Sequence, residues 1–377
     1  MTWEQHAARL AADVTRPASR WRGPVATTPR QLFVPRWWEH RGGLWTLRDG
    51  PADEREWLKA AFSDVSLVTR VGSSHADHAT GEDHPAGLPT SSSTLPGLAV
   101  RMYQHADIQD GVDVLDVGVG SGYGAALLTR RLGDRHVTSV DLDAYLTEAA
   151  TERLDRIGLH PRVVTCDATG PLPGTFDRIA AMVSVRPVPA SWLAALRPGG
   201  RLVTTIANTM IIIVADRTDD GGAFGRVQWD RAGFMTTRHG EDYPPGLSAR
   251  FEEIRDQDGE DVGRGRYPMV EVIEAWELRS MLEVTAPGIS HWFEAGDDGR
   301  RTAWMVHADG SWARAEGVRD EAPLVHQGGP RRLWDILDRI RHQWLVDGSL
   351  PLYGAWVTIS PDGAIRLERG RWQATIA

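Results

Sequence analysis

The sequence predicts an α/β fold: a Rossmann-like sheet of parallel strands covered by helices on both faces, with an additional C-terminal α+β domain. Two observations lead to this prediction. Strand and helix patterns alternate from about residue 95 to residue 215, and strands that alternate with helices of this length form parallel βαβ units. After about Phe224 the pattern changes to short strand-like runs separated by Asp-Gly and Pro-Asp-Gly turns.

Apolar periodicity and end signals assign the elements of the alternating region. One helix begins near Thr94 with Pro96 in its first turn, and a later helix has Asp143 as its N-cap and Gly158 as its stop. In chain order the predicted elements are a helix at 94–106, a strand at 112–117, a helix at 122–132, a strand at 136–140, a helix at 143–158, strands at 162–166 and 176–183, a helix at 189–196, and strands at 201–206 and from 210.

The flanking regions differ from this core in composition. Of the 16 tryptophans, all but Trp192 lie in the first 57 residues or from Trp229 onward. Two interpretations of these flanking tryptophans stay open: they line a peptide groove, or they pack the core of a small β-rich domain. The C-terminal region is predicted to contain strands at 267–273, 302–308, 354–359 and 364–370, and one amphipathic helix with Leu333, Ile336, Leu337, Ile340 and Trp344 on one face.

Composition and charge exclude several classes of partner. No run of about 18 apolar residues occurs, so no membrane span is predicted. The net charge of -9 argues against nucleic acid as a partner. The start of the chain lacks the apolar region of a secretory signal, and the single cysteine, Cys166, rules out an intrachain disulfide. We therefore expect a cytoplasmic protein, and we favour a monomer.

A glycine-rich loop, "VLDVGVGSGYGAA" (114–126), joins a predicted strand to a predicted helix. The dinucleotide pattern G-x-G-x-x-G fails from Gly118 because Tyr123 occupies its last position. The pattern D-x-G-x-G-x-G, which is that of class I S-adenosylmethionine-dependent methyltransferases, fits from Asp116. Two more acids, Asp141 and Asp167, follow the next two strands, where one can bind ribose hydroxyls and the other the adenine amino group. The alternative is that these acids are helix caps and turn residues.

Four blocks of sequence then resemble the protein-L-isoaspartate O-methyltransferases. They are "TPRQLFVP" (28–35), "STLPGLAVRM" (93–102), the glycine loop, and "FDRIAAMVSVRPVPASWLAALRPGGRLV" (176–203). The resemblance implies S-adenosylmethionine as cofactor, no metal, and an active-site hydroxyl at Thr94, with Ser93 and Ser92 as further candidates. Together with the loop pattern it assigns cofactor binding to Asp116, Gly118, Gly120, Ser121, Gly122, Tyr123, Asp141, Leu142, Asp167 and Ala168.

The sequence also departs from that family. The family's "TAA" after the fourth strand is replaced by "MVSVRPV", the loop from 40 to 90 is longer, and some 150 residues follow the point where a repair enzyme would nearly end. This layout resembles homologues from peptide natural-product clusters (lanthipeptide, lasso peptide and graspetide) that methylate an aspartate of a cyclised precursor peptide, leading to aspartimide and isoaspartate. We prefer this function. Repair of isoaspartyl proteins is the alternative, and a cofactor-binding module without turnover is a further one.

These resemblances yield a predicted division of the chain. Residues 1–90 form the N-terminal segment and substrate-side loop, residues 91–224 the cofactor-binding core, and residues 225–377 a domain that recognises the substrate. Within the polar loop, His75, His78 and His84 are interpreted as a solvated or substrate-facing group in preference to metal ligands. Thr94 has an alternative role as the cap of the helix that Pro96 begins.

Overall fold

A computed structural model describes residues 1–238, 240, 243 and 246–377. Its strands form three sheets. The N-terminal elements are α1 (Trp3–Val14), α2 (Arg22–Thr27), β1 (Arg36–Arg41), β2 (Leu44–Asp49), α3 (Glu54–Ala61), β3 (Leu67–Val71), β4 (Ser74–His75), β5 (Pro89–Ser93) and α4 (Pro96–His105). Strands β1 to β5 form the first sheet, in the order β2-β1-β3-β4 with β5 paired to β3.

The second sheet has ten strands and contains the predicted parallel core. The central elements are β6 (Val114–Val117), α5 (Tyr123–Leu132), β7 (Val137–Asp141), α6 (Ala144–Asp155), β8 (Arg162–Thr165), β9 (Phe176–Val185), α7 (Ala190–Ala195), β10 (Leu196–Ile206), β11 (Ile211–Arg217) and β12 (Ala223–Arg231). Strands β8-β7-β6-β9-β10 are parallel and adjacent in that order. The predicted α/β architecture is therefore confirmed, and the strand order reverses direction between β6 and β9, where open α/β sheets bind ligands.

The C-terminal elements divide between two sheets. They are α8 (Ala249–Glu253), β13 (Asp261–Arg264), α9 (Trp276–Thr285), β14 (Ser290–Ala295), β15 (Arg300–Val306), β16 (Trp312–Val318), β17 (Leu324–Gly328), α10 (Leu333–Asp347), β18 (Trp356–Ile359), β19 (Ile365–Arg369) and β20 (Trp372–Ile376). Strands β13 to β17 form an antiparallel sheet, whereas β18, β19 and β20 extend the ten-stranded sheet through β12.

The predicted division at residues 224 and 225 falls inside β12. The central sheet therefore crosses this position, and the last three strands complete that sheet after the intervening C-terminal elements. A single apolar core joins α9 and α10 to β19 and β20, with Met281, Leu337 and Leu367 among its buried members. The division stays a proposal about which residues recognise the substrate.

One predicted C-terminal strand is wrong. Residues 267–273 form no strand but an irregular segment that ends in a turn. Pro268 lacks the N–H that a sheet ladder needs. Met269 and Val272, which precede α9 in the chain, are instead buried in the apolar core. The predicted strands at 302–308, 354–359 and 364–370 and the helix from Leu333 are confirmed, with small shifts in their ends.

Local signals explain how the core elements begin and end. Asp143 caps α6 as predicted, since its carboxylate accepts from the backbone N–H groups of Tyr145 and Leu146. Strand β6 is buried along its whole length, as expected of a central parallel strand. None of the helices in the described ranges has the length and apolarity that crossing a membrane requires.

Candidate active site

A cavity of about 300 Å³ lies at the carboxyl ends of the parallel strands. Its floor is formed by the loops after β6, β7 and β8 and by the end of β9, which meet at the point where the strand order reverses. Its roof is formed by β5, the start of α4 and residues 233–238. The predicted site residues that line this one cavity are Ser92, Thr94, Gly118, Gly120, Asp141, Leu142, Asp167 and Ala168.

The glycine loop is compressed between β6 and the strand β5 above it. Gly118, Gly120 and Gly122 all have positive φ angles, of 92°, 49° and 89°, which residues other than glycine rarely adopt. A Cβ atom on Gly120 would stand 3.0 Å from the carbonyl oxygen of Ser92. Glycine is therefore required here both by the turn and by the close approach of β5, which brings the two halves of the predicted site together.

Asp141 stands at the end of β7 with both carboxylate oxygens held by backbone. The N–H of Gly120 donates to Oδ2 at 3.1 Å and the N–H of Asp143 donates to Oδ1 at 3.2 Å. Burial raises the pKa of Asp141, and these two hydrogen bonds oppose the shift. A carboxylate oxygen accepts more than one hydrogen bond, so Asp141 is oriented and retains capacity to bind two hydroxyl groups.

Asp167 follows β8 and organises the next part of the wall. Its Oδ1 accepts from the N–H of Thr169 at 2.8 Å and from the Thr169 hydroxyl at 2.7 Å. The neighbouring carbonyl of Ala168 accepts from the indole N–H of Trp192 at 2.7 Å, and Trp192 is fully buried. The loop after β8 is thus fixed from behind by this tryptophan.

The hydroxyl candidates at the end of β5 differ in orientation. Thr94 and Ser92 line the cavity, whereas Ser93 is buried, with its hydroxyl 3.5 Å from the Arg30 guanidinium. In the described part of the chain the Thr94 hydroxyl forms no hydrogen bond, and Leu95, not Thr94, occupies the N-cap position of α4. The alternative prediction that Thr94 caps this helix is therefore wrong.

A remote pair of side chains caps α4 in its place. The carboxylate of Asp64 accepts from the N–H of Gly97 at 2.7 Å, and the hydroxyl of Ser66 accepts from the N–H of Leu95 at 3.1 Å. Both come from the connection between α3 and β3, which a local capping rule does not consider. This arrangement leaves the Thr94 hydroxyl available to the cavity.

Arg30 holds this connection against the end of β5, and sequence reasoning missed its role although it lies in the "TPRQLFVP" block. The side chain is fully buried, and burial lowers its pKa to about 10. Its guanidinium donates to five backbone carbonyls, those of Ala61 at 2.8 Å, Ser63 at 3.0 Å, Val65 at 2.9 Å, Ser93 at 3.2 Å and Thr94 at 3.2 Å. A planar fork of donors suits this cluster of acceptors.

Residues 233–238 form the part of the roof that sequence reasoning also missed. The segment pairs with the end of β9, where the N–H of Ser184 donates to the Met235 carbonyl and the Thr237 N–H donates to the Ser184 carbonyl, both at 2.9 Å. At its end the Arg238 guanidinium donates to the Thr90 carbonyl of β5 at 2.9 Å. It therefore bridges β9 and β5 and brings a positive charge to the cavity wall; no pattern in its sequence indicates this contact.

Four predicted cofactor residues lie behind the cavity and not on its wall. The carboxyl of Asp116 is buried beneath the loop and accepts from the Ser139 hydroxyl at 2.6 Å. Ser121, Gly122 and Tyr123 lie at the start of α5, and all three are buried. Their direct contact with a cofactor stays a prediction.

Two histidines of the polar loop, His75 and His78, lie together against Tyr145, whereas the third, His84, contacts β2. His75 Nε2 lies 3.1 Å from Asp143 Oδ2, and the rings of His75 and His78 pack against Tyr145. The ring of His84 lies against a backbone carbonyl of β2. Within residues 1–238, 240, 243 and 246–377, no group of three or more His, Cys, Asp or Glu side chains is placed to hold a metal ion. His75 and His78 therefore contribute to packing beside α6.

Sequence comparisons match this region to one family. The model of the family described as protein-L-isoaspartate(D-aspartate) O-methyltransferase (PCMT) matches residues 78–232. The protein-L-isoaspartate O-methyltransferase of Thermotoga maritima is 31% identical over 153 residues, which are 40% of this chain and 44% of that protein. The protein of the same name from Dinoroseobacter shibae is 35% identical over 147 residues, 37% of this chain and 67% of that protein. The chain thus spans less than half the length of the Thermotoga relative.

Structural similarity extends beyond the matched sequence. A solved structure of a protein named protein-L-isoaspartate O-methyltransferase has a TM-score of 0.51 at 18% identity, covering 95% of this chain and 96% of that one. The predicted class I methyltransferase fold is confirmed. The coverage includes the residues after β12, so the C-terminal region of this chain has a counterpart in the fold of that structure.

Proposed function

Because this chain belongs to the protein-L-isoaspartate(D-aspartate) O-methyltransferase family, we propose that it transfers a methyl group from S-adenosylmethionine to a carboxylate of an isoaspartyl residue in a peptide or protein. One observation carries the proposal. Asp141 at the end of β7, Asp167 after β8 and the hydroxyl-bearing Thr94 all line the same cavity. A nucleoside at one side and a peptide carboxylate at the other would therefore meet inside it.

The residues present fit such a cofactor. Asp141 is an oriented carboxylate at the end of the second parallel strand, where ribose hydroxyls bind in this class of sheet. Asp167 and the backbone around Ala168 offer polar groups at the next strand end, and Gly118 and Gly120 line the same cavity without side chains of their own. Asp141 would hold the ribose and Asp167 the adenine.

The mechanism needs orientation more than proton transfer. When bound, S-adenosylmethionine supplies an electrophilic methyl group. A peptide carboxylate is ionised at neutral pH, since its reference pKa is near 4, so no general base is required. Thr94 donates a hydrogen bond to one carboxylate oxygen and leaves the other free to accept the methyl group, which is catalysis by orientation. Arg238 adds a positive charge that favours entry of an anionic group.

A finer proposal concerns the substrate: an ordinary aspartate in a cyclised precursor peptide, whose ester closes to an aspartimide. The observation that favours it is the position of the unmatched residues. The candidate cofactor residues, from 116 to 168, lie inside the matched range of 78–232, whereas strands β1 to β4 and the C-terminal sheet lie outside it. Strands β1 to β4 and the C-terminal sheet are therefore where we place the contacts that select such a peptide.

Mass spectrometry distinguishes the two substrates. The full chain is incubated with S-adenosylmethionine and three peptides: one with isoaspartate, its aspartyl counterpart, and a side-chain-cyclised peptide with aspartate. Methyl gain on the isoaspartyl peptide alone supports the family activity, and methyl gain followed by loss of methanol on the cyclised peptide supports the finer proposal. Cofactor binding without methylation of any of them would overturn both.

Variants of Thr94 test the hydroxyl. Thr94→Ala is expected to lower turnover about 10- to 100-fold by loss of orientation, while Thr94→Ser, which keeps the hydroxyl, retains most of it. Calorimetric affinity for S-adenosylhomocysteine should be the same for both variants and the parent chain. Equal turnover of Thr94→Ala and Thr94→Ser would show that the hydroxyl has no role.

A further inference from the structure

A second, larger cavity of about 870 Å³ lies between the first sheet and α3. We call the whole cavity the tryptophan groove, after Trp37, Trp38, Trp45 and Trp57 in its lining; charged side chains, among them Glu39 and Arg48, line it as well. Val65, another lining residue, is 46% exposed. The groove therefore combines tryptophan rings with charged side chains, and part of its apolar lining is open to solvent.

The walls of the groove are rigidly built. The indole N–H of Trp57 donates to the Val34 carbonyl at 2.8 Å, and a Cβ atom on Gly50 would stand 2.5 Å from the Trp57 ring. On the opposite wall Arg48 and Arg41 both pair with Glu39. An apolar side chain entering the groove would thus meet a preformed surface, which lowers the ordering cost of binding.

The groove adjoins the candidate active site. Ser66 and Val68 line both cavities. The same short stretch is tied to the site, since the Ser66 hydroxyl accepts from the N–H of Leu95 at the start of α4. A peptide whose acceptor residue lies beside Thr94 would reach the groove by passing Ser66.

We propose that the tryptophan groove binds the part of the substrate chain that flanks the acceptor residue, through a bulky apolar side chain of that flank. This inference rests on the proposed function and adds a requirement for the sequence around the acceptor. Strands β1 to β3 lie outside the residues matched to the family model. Tryptophan rings in a partly enclosed surface are effective anchors for such a contact.

The test compares two isoaspartyl peptides of equal length, one flanked by glycines and one with leucine at alternate flanking positions. Ala52→Trp and Ala60→Leu fill the groove from two positions in its lining. Arg55→Trp is the matched control, because Arg55 is an exposed residue of α3 that does not line the groove. We expect the parent chain and Arg55→Trp to have a KM about tenfold lower for the leucine peptide. Both filling variants should lose this preference, because the KM for the leucine peptide rises to that for the glycine peptide.

Hydrogen exchange separates this inference from the proposed function. With S-adenosylhomocysteine present, the leucine peptide should slow exchange in α3 of the parent chain, and the glycine peptide should not. Protection of α3 without methylation would support the groove and refute the proposed activity. Methylation with no leucine preference, or a preference that survives both filling variants, would overturn the groove inference and leave the activity intact.

Discussion

The carboxyl group of Asp116 is expected to make the stability of this protein fall as the pH rises from about 4 to 7. Asp116 is 1% exposed, at the third position of β6. Burial raises its pKa to about 7, although hydrogen bonds from Ser139 and Tyr103 oppose the shift and the nearby charge of Asp141 adds to it. The ordinary value for this group is 3.8, so the folded protein holds this proton far more tightly than the unfolded chain.

The sign and size of the effect follow from this difference. Below pH 4 both states bind the proton and the group has no effect on the free energy of unfolding. Between pH 4 and 7 the unfolded chain loses the proton while the folded protein keeps it, so each pH unit lowers the free energy of unfolding by about 1.4 kcal/mol. The total loss is about 4 kcal/mol, complete once the pH exceeds the folded value.

Asp116→Asn tests this reasoning because an amide keeps an acceptor oxygen for the Ser139 hydroxyl and does not titrate in this range. Urea unfolding followed by tryptophan fluorescence gives the free energy of unfolding of both proteins from pH 4 to 8. The variant should gain on the parent by about 4 kcal/mol across that range. Glu148→Gln, on the exposed face of α6, is the control for general charge effects. A constant difference between Asp116→Asn and the parent would refute the argument.

Three further predictions concern the walls of the cavity. Asp141→Ala should weaken S-adenosylhomocysteine binding by about 1–3 kcal/mol in calorimetry, because bound hydroxyl groups lose a charged acceptor; unchanged affinity would exclude Asp141 from the cofactor site. Arg30→Met should lower the free energy of unfolding by about 3–5 kcal/mol, since buried carbonyls lose their donor. Arg30→Lys should lower it by less. Equal unfolding midpoints for the two variants would contradict a role of the planar guanidinium. Ser184→Ala should lower the free energy of unfolding by about 1 kcal/mol and speed hydrogen exchange of residues 233–238, because the Ser184 hydroxyl donates to the Phe234 carbonyl. Unaltered exchange would show that the backbone hydrogen bonds of Ser184 alone hold this segment.

The cofactor side of the cavity could be predicted from the sequence because its geometry is local. The glycine loop follows β6, Asp141 is the last residue of β7, and Asp167 comes two residues after β8. Adjacent parallel strands end at the same edge of a sheet, so these groups lie together. The N-cap role of Asp143 was predictable for the same reason. Whether Ser121, Gly122 and Tyr123 face the cavity could not be predicted, because the sequence does not show which side of a loop faces the ligand.

The substrate side depends on contacts between distant residues, which no local pattern encodes. The cap of α4 comes from Asp64, 33 residues before Gly97, and Arg30 reaches carbonyls up to 64 residues away. Strand β18 pairs with β12 across more than a hundred intervening residues, and β19 and β20 extend the sheet from β18. A chain cut near Phe224 would end inside β12 and remove three strands of the central sheet, so a truncation there does not isolate substrate recognition from folding.

The segment "MVSVRPV" (182–188), which replaces the family's "TAA", connects these two sides. Met182 and Val183 line the cavity beside the glycine loop, where a Cβ atom on Gly118 would stand 3.0 Å from Val183 Cγ1. Ser184, next to them, holds residues 233–238 through both its backbone and its hydroxyl. The side chains of Met182 and Val183 therefore limit the space beside Gly118, and Ser184 fixes the segment that forms part of the roof. The departure from the family thus shapes the cavity wall between the glycine loop and residues 233–238, and the candidate cofactor residues lie outside the departing segment.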